Sequence, residues 1–377
     1  MNRIVAPPTV NVEEGQTSKL HERELHKRDS ILISQSMSTT QIPNLLPNNW
    51  LEMKPSALAQ LGDIQSIEWP RAYSRGVSLS IKRDDLVDSE LGGNKVYKLY
   101  GHLRQYLSSF NPNRPLTIAT FGGAYSNHIY ALAEAAKRLS LPCVGVIRGE
   151  EPKRLSPTLE DARKKGMKLV FVPREDYKRR GTDQFRYYIE RQIGKCFWVP
   201  EGGGGELGQI ACRSLGFEIA RRVESDIESK SVTVCLACGT ATTMSGVIDG
   251  IFRQLKQRTS NQSQKIKVLG ISALKSRSSL VRTIYTLSDP KALLRISWQI
   301  SNQFHLGGYA KTPKPLLEFM SLFEQQTQVP LDKVYTAKLC WAIDQHIERE
   351  FWLAGERIVA IHSGGLQGNR KAENTRI

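Results

Sequence analysis

Ser231-Val232-Thr233-Val234-Cys235-Leu236-Ala237-Cys238-Gly239-Thr240-Ala241-Thr242-Thr243 is an apolar, β-branched run that ends in a glycine-containing loop, and Met244 to Phe252 continue it as an apolar, helix-like segment. Strand, loop, helix is the repeating unit of a parallel sheet. The unit recurs from Leu116 onward. Short runs at Leu116 to Thr120, Cys143 to Ile147, Lys168 to Val172, Phe197 to Pro200, Val268 to Ser272 and Arg357 to His362 alternate with helix-like patterns, which predicts βαβ units closed by right-handed crossovers. The expected fold class is therefore α/β, with parallel sheets flanked by helices.

Open parallel sheets bind ligands beyond the carboxyl ends of their strands, where loops lead into helix N-termini. Four loops are placed that way: Gly122-Gly123-Ala124-Tyr125-Ser126-Asn127-His128, Glu201 to Gly205, Cys238 to Thr243, and His362-Ser363-Gly364-Gly365. Backbone N–H groups of the Cys238 to Thr243 loop can converge on a phosphate, although small polar residues serve ordinary turns equally well. Ser126 suits the N-cap of a helix running to about Leu139. Leu91-Gly92-Gly93-Asn94-Lys95-Val96-Tyr97-Lys98-Leu99 sets Lys95 directly after a Gly-Gly-Asn turn and at the start of a helix-like segment. An amine held there can be desolvated and lowered in pKa, which Schiff-base chemistry needs because only the neutral amine attacks an aldehyde. On spacing alone, a surface lysine after a capping turn is the plainer reading.

The 377 residues, 40% of them hydrophobic, suffice for one large core or two lobes. No run approaches the roughly 18 apolar residues of a membrane span, and the N-terminus lacks the order of a secretory signal, so a cytoplasmic protein with no membrane partner is expected. The net charge of +16 favours anionic partners. Its excess, however, lies in stretches such as Arg163 to Lys168 and Lys178 to Arg180 with no aromatic platform or zinc-finger spacing beside them, so we read a solvated basic face and no nucleic-acid partner. Of six cysteines only Cys235 and Cys238 stand close. They lie in an apolar run and no second pair completes a tetrahedron, which points to core packing and to no metal. Residues 1–45 are rich in Ser, Thr, Glu, Lys and Pro and read as a disordered extension.

Lys82-Arg83-Asp84-Asp85-Leu86, Gly92-Gly93-Asn94-Lys95, Ser126-Asn127-His128, Pro200-Glu201-Gly202-Gly203, Leu331-Asp332-Lys333-Val334-Tyr335-Thr336-Ala337-Lys338 and His362-Ser363-Gly364-Gly365 follow one another over roughly residues 45 to 370. In this order they closely resemble the family of D-cysteine desulfhydrase and 1-aminocyclopropane-1-carboxylate deaminase. The resemblance implies a two-domain, fold-type II pyridoxal-phosphate enzyme, similar to the tryptophan synthase β chain, with the active site between its domains. It implies a large cofactor-binding domain over 46–96 and 206–377, a small α/β domain over 97–205, and a homodimer.

By the same resemblance, Lys95 carries pyridoxal 5'-phosphate as a Schiff base and Asn94 hydrogen-bonds the cofactor's phenolic oxygen or merely caps the helix. Gly239, Thr240, Ala241, Thr242 and Thr243 hold the phosphate, with Ala241-Thr242 standing where the family has a Gly-Gly pair. Thr336 and Ser363 lie near the pyridine nitrogen. Ser126, Asn127 and His128 line the substrate site, with Asn127 also touching the cofactor and Ser126 a nucleophile or proton relay in some members. Tyr335 and Tyr309 face the substrate and move protons or hold a leaving group. Lys98 is read as a surface or packing lysine. Tyr97 stands where the family often has arginine, and Gly204-Gly205 where it has Ser-Asn.

Cyclopropane deaminases carry glutamate and leucine where Thr336 and Ser363 stand here, so the match favours the desulfhydrase branch: α,β-elimination from a small amino acid, with D-cysteine giving pyruvate, hydrogen sulfide and ammonia. The alternatives are ring opening of 1-aminocyclopropane-1-carboxylate to 2-oxobutanoate and ammonia, and a non-catalytic cofactor-binding homologue.

Overall fold

The computed structural model describes residues 45–113, 115–224, 231–257, 265–275 and 277–370, so the extension expected over 1–45 lies outside the described residues except for its last position. Among the described residues the strands are β1 (Ile64–Ile67), β2 (Ser78–Lys82), β3 (Thr117–Gly122), β4 (Cys143–Arg148), β5 (Lys168–Val172), β6 (Cys196–Val199), β7 (Ser231–Cys238), β8 (Lys265–Ser272), β9 (Ser297–Ser301) and β10 (Glu356–Ile361). They form a six-stranded sheet, order β1-β2-β10-β7-β8-β9, and a four-stranded sheet, order β5-β4-β3-β6. Every neighbouring pair is parallel except β1 with β2, where Ile64 lies opposite Lys82. The α/β class with helix-flanked parallel sheets is thus the observed one.

All seven expected strands are present, within a few residues of their expected ends. The central strand β7 is buried at all eight positions, as a strand covered on both faces must be, and this is why its sequence reads as a continuous apolar run. The strands that sequence reading passed over are β1, β2 and β9. Two of them are edge strands of four and five residues with polar alternation, and β2 ends in Lys82, whose burial the chain makes possible by placing Asp84 beside it.

Five helices matter for the site: α1 (Asn94–Ser108), α2 (Asn127–Arg138), α3 (Gly205–Glu224), α4 (Thr242–Lys256) and α5 (Thr336–Glu348). Met244, Val247, Ile248 and Ile251 give α4 an apolar stripe that is fully buried, and Cys212, Leu215 and Ile219 of α3 are buried with it. The two backbones approach so closely that a Cβ on Gly250 would stand 2.0 Å from the Arg213 carbonyl oxygen. Only glycine permits that contact. It fixes α4 against α3 and so fixes where its N-terminus points. No described helix is long and apolar enough to cross a membrane.

Candidate active site

A cavity of about 460 Å³ opens where loops at the carboxyl ends of both sheets meet, and residues from all four sequence-identified loops line it. Lys95 enters from the first turn of α1. The turn before it is held by backbone interlock: Gly93 has φ +69°, and a Cβ there would sit 1.9 Å from the Ser363 carbonyl oxygen. Beneath the turn, Gly93 N–H donates to the Asp84 carbonyl (2.9 Å), while the buried Asp84 carboxylate accepts from Lys82 Nζ (2.6 Å) and Tyr97 Oη (3.1 Å). Burial raises the Asp84 carboxyl and the Lys82 charge opposes it. Tyr97, at the position where arginine is frequent, is therefore a buried hydrogen-bond partner of this scaffold.

The neighbouring motif residues are scaffold too. Arg83 grips Asp85 with two nitrogens, Nε at 2.9 Å and Nη2 at 2.7 Å. Asp85 stands 3.6 Å from His362 Nδ1, and His362 Nε2 meets the Pro330 carbonyl at 2.7 Å. These bonds tie the strand that precedes Ser363 to the segment that precedes Lys95.

Lys95 Nζ donates to Asn94 Oδ1 (2.7 Å), whose Nδ2 in turn donates to Thr243 Oγ1 (3.1 Å) at the start of α4. Burial, reinforced by the Lys98 charge and opposed by Asp332, lowers the Lys95 ammonium to about 7. Half of its amines are then neutral and nucleophilic at neutral pH. Lys98 lies one turn further on the same helix face and is buried, so the surface reading is corrected: its Nζ approaches the Gly202 carbonyl (3.2 Å) and Thr240 Oγ1 (3.5 Å) inside the cavity. The i,i+3 spacing from Lys95 was the available signal.

Beyond Asn94, α4 begins without a capping side chain, because its N-cap is Ala241 in the left-handed conformation, φ +58°. Ala241, Thr243 and Met244 at this helix start line the cavity with Gly239 and Thr240, and the first N–H groups of a helix have no intrahelical partner. An uncapped helix N-terminus, hydroxyls and the Lys98 ammonium make a cradle of the right chemistry for a phosphate. Thr242 does not line the cavity; its hydroxyl lies 3.2 Å from that of Thr240.

The facing wall is the start of α2. Ser126 caps the helix, its Oγ accepting from Ile129 N–H (3.3 Å). Asn127 is wedged under the Ser363 loop and accepts from Gln367 Nε2 (3.1 Å). His128 is buried, and the tautomer follows from its neighbour: Thr120 Oγ1 gives its proton to the Val199 carbonyl (2.8 Å), so His128 Nε2–H donates to Thr120 Oγ1 (2.9 Å). Its Nδ1 is then a bare acceptor, buried without a partner among the described residues. Burial and the Lys95 charge hold the ring well below the ordinary histidine range, in its neutral form.

Tyr335 packs its ring on Gly239 and Tyr309 crosses it edge to face, ring centres 6.4 Å apart. Burial raises the phenols of both, that of Tyr309 to about 12. Ser363 lines the cavity. Thr336 does not: its hydroxyl is committed to Asp332, whose carboxylate accepts from it at 2.9 Å. Sequence reading missed Arg148 and placed Arg180 on a solvated basic face; both line the cavity, where Arg180 pairs with Glu201 of the second loop (2.7 Å). Cys235 and Cys238 are both buried, as the packing reading expects, with burial raising their thiols.

The family model described as pyridoxal-phosphate dependent enzyme matches residues 61–364. A bifunctional D-cysteine desulfhydrase/1-aminocyclopropane-1-carboxylate deaminase of Arabidopsis thaliana is 26% identical, with 89% of this chain and 88% of that protein covered. A D-cysteine desulfhydrase of Klebsiella pneumoniae is 25% identical over 77% of this chain and 87% of its own length. A putative 1-aminocyclopropane-1-carboxylate deaminase of Pyrococcus horikoshii is 27% identical, with coverages of 82% and 94%. Among solved structures, an ACC deaminase homologue shares the fold at a TM-score of 0.65 and 22% identity, covering 86% of this chain and 92% of that one.

Proposed function

The chain belongs to the pyridoxal-phosphate dependent enzymes, and from that premise we propose that it catalyses α,β-elimination on a small amino acid, D-cysteine first among candidates, with Lys95 as the catalytic amine. The observation that carries the reading is the placement of Lys95: its amine lies in the cavity, joined through Asn94 to Thr243 at the start of α4, and burial lowers it to about 7. When bound, pyridoxal phosphate supplies an aldehyde to the amine and a ring that withdraws electrons from the substrate's Cα.

The N-terminus of α4, Gly239, Thr240, Thr243 and Lys98 would hold the cofactor's phosphate. Asn94, already bonded to Lys95 and Thr243, would hydrogen-bond the cofactor beside the amine. Ser363 would offer its hydroxyl to the ring. Among the described residues lining the cavity the only carboxylate is Glu201, and it is spent on Arg180 and Tyr177, so nothing there fixes a full charge on the ring. That supports elimination, which needs less electron withdrawal than ring opening.

The substrate carboxylate rests on the N–H groups of α2, beside Ser126 and Asn127. His128 Nδ1, a buried acceptor, receives a proton-bearing group. Lys95 Nζ takes the proton from Cα and Tyr335, with Tyr309 beside it, delivers one to the departing sulfur.

Assaying the purified protein with each cysteine enantiomer for pyruvate, and with 1-aminocyclopropane-1-carboxylate for 2-oxobutanoate, decides among the readings. Pyruvate from D-cysteine is expected. Release of 2-oxobutanoate alone would move the protein to the ring-opening branch, and bound cofactor with no turnover on any amino acid would make it a cofactor-binding homologue.

A further inference from the structure

Helix α5 carries a lysine that none of these steps uses. Lys338 is fully buried, and backbone alone satisfies its ammonium: Nζ donates to the carbonyls of His305 (2.9 Å) and Gly308 (2.7 Å). Burial lowers this ammonium to about 8, with Asp332 opposing. Withdrawing a charge from water is unfavourable, and a methionine would fill the same volume without that penalty. The reason for the lysine lies in the segment it grips. Leu306, Gly307, Gly308 and Ala310 all have positive φ, at 52°, 96°, 117° and 54°. For Leu306 and Ala310 the left-handed conformation is strained, because Cβ crowds the following carbonyl oxygen. Such a loop keeps its shape only if something outside it over-determines the backbone.

Tyr309 stands inside this run, directly after the gripped Gly308. Its hydroxyl reaches across the cavity mouth and donates to the Tyr125 carbonyl (3.0 Å) on the loop that leads into α2, and its ring meets Tyr335. We propose that Lys338 is a positioning residue: by pinning the carbonyls on the near side of Tyr309 it sets the reach of that phenol over the substrate. The proposal rests on the reading of the cavity as the substrate site, and its test separates the two.

Replacing the ammonium while keeping volume, Lys338→Met, in the holoenzyme is expected to raise hydrogen exchange in peptides spanning 304–311 about tenfold and to leave α1 and α4 unchanged. With D-cysteine it should lower kcat by about tenfold to a hundredfold, the scale of a displacement near 1 Å. In a Tyr309→Phe background the same change should lower kcat by less than twofold, since the group it positions is gone. An equal loss in both backgrounds, or unchanged exchange in 304–311, overturns the proposal. Should Lys338→Met not fold, Lys338→Gln, which keeps an uncharged N–H donor group, is expected to show the same pattern at reduced size, and its absence overturns the proposal equally. If no amino acid is turned over, the functional reading fails while the exchange comparison still decides the role of Lys338.

Discussion

The two walls of the cavity are built on different terms. On the wall facing the phosphate, side chains are already bonded to one another: Lys95 to Asn94, Asn94 to Thr243, Lys98 to Thr240 and Gly202. On the wall assigned to the substrate, His128 Nδ1 is buried without a partner among the described residues, Ser126 Oγ accepts from Ile129 N–H and keeps its own proton, and the Tyr309 hydroxyl reaches out to the Tyr125 carbonyl on the neighbouring loop. Buried polar atoms without partners are rare because each is unfavourable by roughly 1–3 kcal/mol. The contrast teaches which groups are finished and which await a visitor. On the function proposed above, the first wall is the socket for a permanent resident and the second is left incomplete for a molecule that comes and goes.

The largest expected effect strikes the first wall. Lys95→Ala should lower turnover by about 10³ or more, the scale of losing a positioned proton-transfer group, and no cofactor should remain on the chain after borohydride. Retained activity would end the distinction between the walls. Next, Gly93→Ala should destabilise the protein by about 3 kcal/mol or more, since a Cβ there collides with the Ser363 carbonyl and the φ of +69° is itself strained for alanine. Thermal melting reads this, and a melting temperature within a degree of the parent's would show the interlock to be soft.

A pH series sharpens the comparison. Burial favours the neutral amine, so Lys95 loses its proton as pH climbs through about 7 instead of near 10.5. Cofactor capture by stripped protein, followed by visible absorbance, should rise about tenfold per pH unit below 7 and level off above it. A rise continuing to pH 10 would mean that Lys95 is an ordinary, hydrated lysine. The smallest effect belongs to the mouth. Arg148 is exposed, with a guanidinium nitrogen 3.5 Å from where a Cβ on Gly123 would be. Arg148→Met should raise KM about twofold to fivefold with kcat unchanged, and added salt should shrink the difference.

The same contrast governs what could be read in the sequence. The seven strands, the Ser126 cap and the four loops were legible because each depends on local chemistry: β-branched runs, small residues at turns and a hydroxyl before a helix. The resemblance named the cofactor from ordered motifs. Illegible were features made by distant residues meeting. Strand β2 went unread although its last residue, Lys82, stands two positions before its partner Asp84, because the second partner of that carboxylate, Tyr97, comes from α1. Lys98 looked peripheral because Gly202 and Thr240 close over it from elsewhere in the chain. Thr336 was expected at the ring nitrogen, yet Asp332, four residues earlier, takes its hydroxyl, a local turn that spacing did not disclose.

The interlock of Gly93 with the Ser363–Gly364 backbone joins two points far apart along the polypeptide. During synthesis at roughly 5–20 residues per second, tens of seconds separate the ribosome's delivery of one from the other. Strand β2, which precedes the lysine turn, likewise waits for β10 to pair with it. A nascent or prematurely terminated polypeptide therefore carries the reactive amine but not the geometry that sharpens it, and aldehyde capture becomes a property of the finished molecule.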